Sequence, residues 1–124
     1  MTALLNFLVP PPGLDPHTDF LLDPVEGTEG LFSLRAVAED GLRLFLLDPA
    51  TVMDGYAPTL TDEQAADLGL PGPGEAMVLV VVHPAADGPC LNLMAPIVVN
   101  RTTGRAAQII LSEQDYPIRV PLLA

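Results

Sequence analysis

The sequence has no lysine, no tryptophan and one cysteine, and aromatic residues make up only 5% of it. A lone cysteine, Cys90, excludes a disulfide framework and a thiolate metal cluster. With so few aromatics, the core of a chain that is 49% hydrophobic must come from leucine and valine. Long apolar runs are missing too. The longest, Ala76 to Val82, has seven residues, far below the ~20 that span a bilayer as a helix. The run Ala3 to Val9 lacks a positive flank and a small-residue cleavage site, so a cytoplasmic protein with no membrane contact is expected. His17 and His83 are the only histidines. Neither forms a ligand spacing with Cys90, and neither a metal nor another cofactor is expected.

What the chain has in excess is acid. Sixteen acidic residues face five arginines, a net charge of −11. The imbalance is uneven: residues 1–87 hold fourteen acids and two arginines, whereas residues 88–124 hold two acids and three arginines. Such a field repels phosphate backbones and speeds encounter with basic partners, which argues against direct binding to nucleic acid.

Fourteen prolines and ten glycines in 124 residues cut the chain into short segments. One domain, residues 1–124, is expected, burying about 65% of its unfolded surface. Leu4 to Val9 reads as a first strand, stopped by Pro10-Pro11-Pro12-Gly13, and Phe20-Leu21-Leu22 as a second. Gly30 to Val37 and Leu42 to Leu47 form a hairpin across Glu39-Asp40-Gly41. Leu42, Leu44 and Leu46 share one face of that last strand and Arg43, Phe45 and Leu47 the other, so it is expected to be central and covered on both sides. Asp48-Pro49 reads as a cap and first helical residue of a short turn through Met53, ending near Gly55. Thr61-Asp62-Glu63-Gln64 is a capping-box pattern opening a two-turn helix that stops at Gly69. A strand Ala76 to His83 follows, then a turn at Asp87-Gly88-Pro89.

The segment from Cys90 to Leu111 is the centre of the reading. Asn92-Leu93 and Ala95-Pro96 lead into a strand Ile97 to Asn100, with Pro96 placed at a strand start or edge, where no ladder donor is lost. Arg101 to Gly104 turns the chain, Gly104 supplying positive φ. Ala106 to Leu111 returns, leaving Asn100, Arg101 and Gln108 for outside contacts. Tyr116 to Leu123 reads as a last edge strand. About seven short strands and one short helix predict a mainly β domain, an antiparallel barrel or sandwich.

No catalytic pattern stands out. Ser33 and Ser112 lack a nucleophile elbow. The pair Glu39-Asp40 sits in a turn, and Asp62-Glu63 sits in a helix's first turn, where negative charge suits the macrodipole. The loop Pro71 to Glu75 has no lysine and no following helix to hold a phosphate.

The order Asn92-Leu93, Ala95-Pro96-Ile97-Val98, Asn100, then a short basic turn, Gln108 and Leu111, and finally Tyr116-Pro117, Arg119 and Pro121-Leu122 resembles the FliW family. Pro12-Gly13-Leu14, Phe32, Leu34, Asp48-Pro49 and Tyr56 extend the match. Asp15-Pro16-His17 and Cys90-Leu91 depart from the family pattern. The resemblance implies a small β-barrel and a non-enzymatic partner switch. Such a protein binds flagellin and also CsrA, an RNA-binding repressor of flagellin translation, which flagellin displaces. It implies a protein that is monomeric when free. Asp48, Pro49 and Tyr56 form one candidate contact group and Asn92, Leu93, Pro96, Asn100 and Arg101 a second. Each also has a structural role to weigh: Asp48 as a cap, Asn92 as a turn former, Asn100 and Arg101 as hairpin ends, Tyr56 as packing. The alternatives are a barrel that encloses a small ligand or catalyses, and an interaction module unrelated to flagella.

Overall fold

The computed structural model describes residues 3–11, 14–39, 41–52, 55–84, 88–111, 114–117 and 119–121. The expected break at Pro12-Gly13, the turn residues Asp40 and Asp87, the helix end at Met53, Ser112 and the tail beyond Pro121 lie outside them. Eight strands form: β1 (Ala3–Phe7), β2 (Asp19–Pro24), β3 (Leu31–Ala36), β4 (Arg43–Leu47), β5 (Ala76–His83), β6 (Cys90–Asn100), β7 (Arg105–Gln108) and β8 (Val120–Pro121). One α-helix, α1 (Asp62–Asp67), and two 3-10 turns, Pro49–Thr51 and Pro73–Glu75, lie between β4 and β5.

Strands β1 to β7 pair in chain order, each antiparallel to the next, and β7 closes on β1. Seven alternating strands leave the first and last pointing the same way. The closing pair must therefore be parallel, and it is short: Asn6↔Arg105 and Phe7↔Ala106. This is a closed barrel rather than a sandwich, and closure removes free edges. Gly104 sits at the seam with φ 81°, and a Cβ there would lie 2.5 Å from the Leu4 carbonyl oxygen. Only glycine lets the turn come that close.

The interior is filled by alternate residues of β1 to β7, among them Leu5, Phe7, Phe20, Leu34, Leu46, Leu79, Ile97, Val99 and Ala106. Phe7 and Phe20 meet edge to face, 5.4 Å between centroids. The opposite faces of β5 and β6 are covered from outside. Leu47, Val80, Leu91 and Leu93 pack with Tyr56, Tyr116 and Val120, while Leu68 beside α1 packs on Val98, Ile109 and Leu111. The row Ala107, Ile109, Leu111 thus serves this outer layer, not the barrel interior.

Three expectations need correcting. Strand β4 is central, between β3 and β5, but only its Leu47 end is covered on the outer face. Phe45 is 40% exposed and Arg43 lies over its ring, 5.5 Å from the centroid, so a cation takes the place of a covering layer. Pro96 lies inside an eleven-residue strand rather than at its start. The return strand β7 ends at Gln108, although Ile109 N–H and Leu111 N–H continue to donate to β6 carbonyls.

Candidate functional site

Proline is tolerated within β6 because the strand bulges there. Against β5 the register runs Leu79↔Ile97 and then Val81↔Asn92, so Val80 alone opposes the four residues 93–96. A bulge this wide strands backbone groups, and each needs a partner. Asn92 Oδ1 accepts from Met94 N–H (3.0 Å) and Ala95 N–H (3.2 Å), folding the chain back on itself. The four carbonyls are all taken. Tyr56 O–H donates to Leu93 O at 2.5 Å, Leu111 N–H to Met94 O at 2.7 Å, Gln108 Nε2 to Ala95 O at 3.0 Å and Ile109 N–H to Pro96 O at 2.9 Å. Pro96, having no N–H, adds no donor to satisfy.

The segment between β4 and β5 straps this outer wall. It starts where expected: Asp48 Oδ1 accepts from Ala50 N–H (3.1 Å), with Pro49 at the first position of the 3-10 turn. The capping box forms as well, Gln64 N–H donating to Thr61 Oγ1 and Thr61 N–H to Gln64 Oε1. Gly69, at φ 68°, ends the helical segment. Between these two local structures, residues 55–60 are clamped to the C-terminal segment. Gln114 holds both backbone groups of Thr59, accepting from its N–H (2.9 Å) and donating to its carbonyl (2.8 Å). Ala57 N–H donates to the Tyr116 hydroxyl, and the Tyr56 and Tyr116 rings pack edge to face at 4.8 Å. Burial, together with the neighbouring Tyr116, pushes the Tyr56 phenol well above the usual tyrosine range.

Asp48, Pro49 and Tyr56 therefore do meet, lining a cleft of about 390 Å³ on the outer face of β5. Tyr56 joins them to Leu93 in the bulge. In the second group Leu93 and Pro96 are buried, and Asn92 is occupied in shaping the bulge. Asn100 stands apart from its expected outward role. It is 2% exposed; its Nδ2 donates to Leu68 O (2.9 Å) and Gly69 O (3.1 Å), and its Oδ1 accepts from Thr102 N–H and Thr103 N–H. Arg101 beside it is exposed, its backbone N–H donating to Glu75 O. Gln108 turns inward to the bulge rather than outward.

Sequence reasoning did not single out Gln114, 55 positions from the residue it clamps, or the small residues Ala57 and Ala76 that line the cleft with Tyr56. Only Tyr116 carried a signal, as part of the matched tail. Among the described residues no group of three or more histidine, cysteine, aspartate or glutamate side chains is placed to hold a metal ion. No helix among them is long and apolar enough to cross a membrane.

A closed seven-stranded barrel with a packed interior and a strapped outer wall is the class that this geometry defines. Its particular family follows from comparison: the profile described as "FliW protein" matches residues 2–122, and the chain belongs to the FliW family. The chain is 33% identical over 121 residues to the flagellar assembly factor FliW 2 of Desulfotalea psychrophila, covering 94% of this chain and 80% of that protein. It is 32% identical over 115 residues to the flagellar assembly factor FliW of Desulfitobacterium hafniense (strain Y51), covering 91% and 76%. A crystal structure of the flagellar assembly factor FliW superposes with a TM-score of 0.89 at 25% identity, covering 98% of this chain and 86% of that one.

Proposed function

We propose that this chain acts in flagellar assembly as a non-enzymatic binding protein of the cytoplasm, monomeric when free. It holds flagellin and, in alternation, a CsrA-type RNA-binding regulator. Holding the regulator relieves its repression of flagellin translation, and accumulating flagellin releases it again. The observation that carries this reading is the family match over residues 2–122, nearly the whole chain rather than one motif. The charge balance supports it: a net −11 suits a partner whose own surface must be basic enough to hold RNA. A switch of this kind requires unfavourable coupling between the two partners, which is reciprocal by linkage.

Calorimetric titration with flagellin and, separately, with the CsrA homologue of the same organism, at two salt concentrations, tests the proposal. Binding to both, with flagellin displacing the regulator and with regulator binding weakened by salt, is expected. Binding to flagellin alone would remove the translational half, and binding to neither at low salt would overturn the reading.

A further inference from the structure

The cleft lined by Asp48, Pro49 and Tyr56 does not end at Tyr56. It adjoins a larger one of about 620 Å³, and the two share Ala57, Pro58, Ala76 and Val78. Together they make one trough over the outer face of β5, bounded by the 3-10 turn after β4 at one end and by α1 and Leu70 at the other.

We propose that this trough is the docking groove for a segment of the RNA-binding regulator in which small or aliphatic side chains lie between basic ones. The proposal rests on the function proposed above and gives one of its two partners a place.

Three features of the trough select that occupant. Its middle, where the two clefts meet, is lined by Ala57, Pro58, Ala76 and Val78, with Gly55 on the side of the 3-10 turn and Ala65 and Gly72 on the side of α1. A partner's main chain and short side chains can therefore approach closely. Among the described residues the charges that border it are negative, Asp48 at one end and Asp62 at the other, and no arginine lines either cleft. Basic residues spaced to reach both ends gain charge-assisted contacts, while an acidic or phosphate-bearing occupant is repelled. Finally, the wall is fixed before anything binds. Thr59 is held at both backbone groups by Gln114, and Tyr56 and Ala57 are tied to Leu93 and Tyr116. A preformed wall spares the ordering cost that a loose loop would add on binding.

Two double substitutions that remove the same charge separate the groove from the overall field. Asp48→Asn with Asp62→Asn neutralises the two ends, and asparagine still caps the 3-10 turn. Asp15→Asn with Glu39→Gln neutralises two exposed acids in the β1–β2 and β3–β4 connections, at the end of β3 and β4 opposite the 3-10 turn. Titrated at low salt with the purified CsrA homologue of the same organism, the first is expected to bind about tenfold more weakly with a shallower salt dependence, and the second within about twofold of wild type. A third variant, Ala57→Arg, places a cation in the middle of the trough at an exposed position and is expected to lose more than about tenfold while melting with the wild-type midpoint.

Equal weakening by the two double variants would mean a field effect and overturn the groove, as would wild-type affinity of Ala57→Arg. Loss of flagellin binding with regulator binding intact would overturn the choice of occupant. Each of these presupposes that the wild-type chain binds the regulator. If it does not, the translational half of the functional reading fails, and the groove proposal with it.

Discussion

Asn100 offers the sharpest test of the architecture, because its surroundings are fully specified. It ends β6, and its amide ties the hairpin turn to the carbonyls at the end of α1, 31 and 32 positions away. Replacing it with alanine removes two donated and two accepted hydrogen bonds. The amides of Thr102 and Thr103 belong to exposed turn residues and can take water in exchange, so together they account for only about 1 kcal/mol. Leu68 is 1% exposed, and its carbonyl loses a buried donor, which adds about 1–3 kcal/mol. The sum is about 3 kcal/mol. At roughly 4 °C per kcal/mol for a domain of this size, thermal denaturation should show a midpoint lowered by about 12 °C.

Asn100→Asp makes the test stricter. Its carboxylate can still accept from the two threonine amides but faces two carbonyl oxygens with no proton to offer. At neutral pH it should cost at least as much as alanine. Some stability should return in acid, where a protonated carboxyl can donate again. A midpoint shift below about 3 °C for Asn100→Ala, or Asn100→Asp more stable than Asn100→Ala at pH 7, would refute the role assigned to this side chain.

Two further outcomes follow from the bulge and the strap. Asn92→Ala should destabilise by about 1–2 kcal/mol and Asn92→Asp by much less, because only the acceptor of two backbone amides is needed; urea denaturation of the pair measures the difference. Tyr56 carries a pH dependence whose sign is fixed by its raised phenol. Its contribution is fully present below the unfolded value near ~10 and is lost as pH rises through the raised folded value. Wild-type stability should therefore fall more steeply above about pH 10 than that of Tyr56→Phe, with melting midpoints from pH 8 to 11 as the check.

The parts of the fold that were legible in the sequence are those set by neighbours along the chain. The capping box at Thr61 and Gln64, the Asp48 cap, the glycine turn at Gly104 and the limits of β5 all depend on residues within a few positions of one another. The parts that were not legible depend on distant backbone. Pro96 reads as a strand start because its tolerance comes from a bulge whose carbonyls are satisfied by Tyr56, Gln108, Ile109 and Leu111. Asn100 reads as an outward polar residue at a hairpin end because the buried carbonyls that claim it belong to Leu68 and Gly69. Phe45 reads as covered because its alternation cannot reveal that the covering residue is Arg43 on the same strand. Of the candidate contact residues, Asp48, Pro49 and Tyr56 are brought into one cleft, whereas Asn92, Leu93, Pro96 and Asn100 are engaged in building the wall.

That division bears on what the family pattern encodes. The residues that carry the resemblance most densely, from Asn92 to Asn100 with Gln108, Tyr116 and Tyr56, are the parts of one device. Asn92 bends the strand, the bulge exposes carbonyls, Tyr56 and Gln108 consume two of them, and Tyr116 holds the strap that carries Tyr56. Removing Asn92, Tyr56 or Gln108 leaves a part-buried backbone group of the bulge without its partner, so these three act together whatever the barrel binds. Such a pattern identifies the wall and the trough it creates. If the trough docks the regulator as proposed, choice of partner falls to side chains outside that device. Ala57, Ala65 and Asp62 line the trough without a polar side-chain contact to the bulge, and substitutions there can retune charge and shape without dismantling the fold.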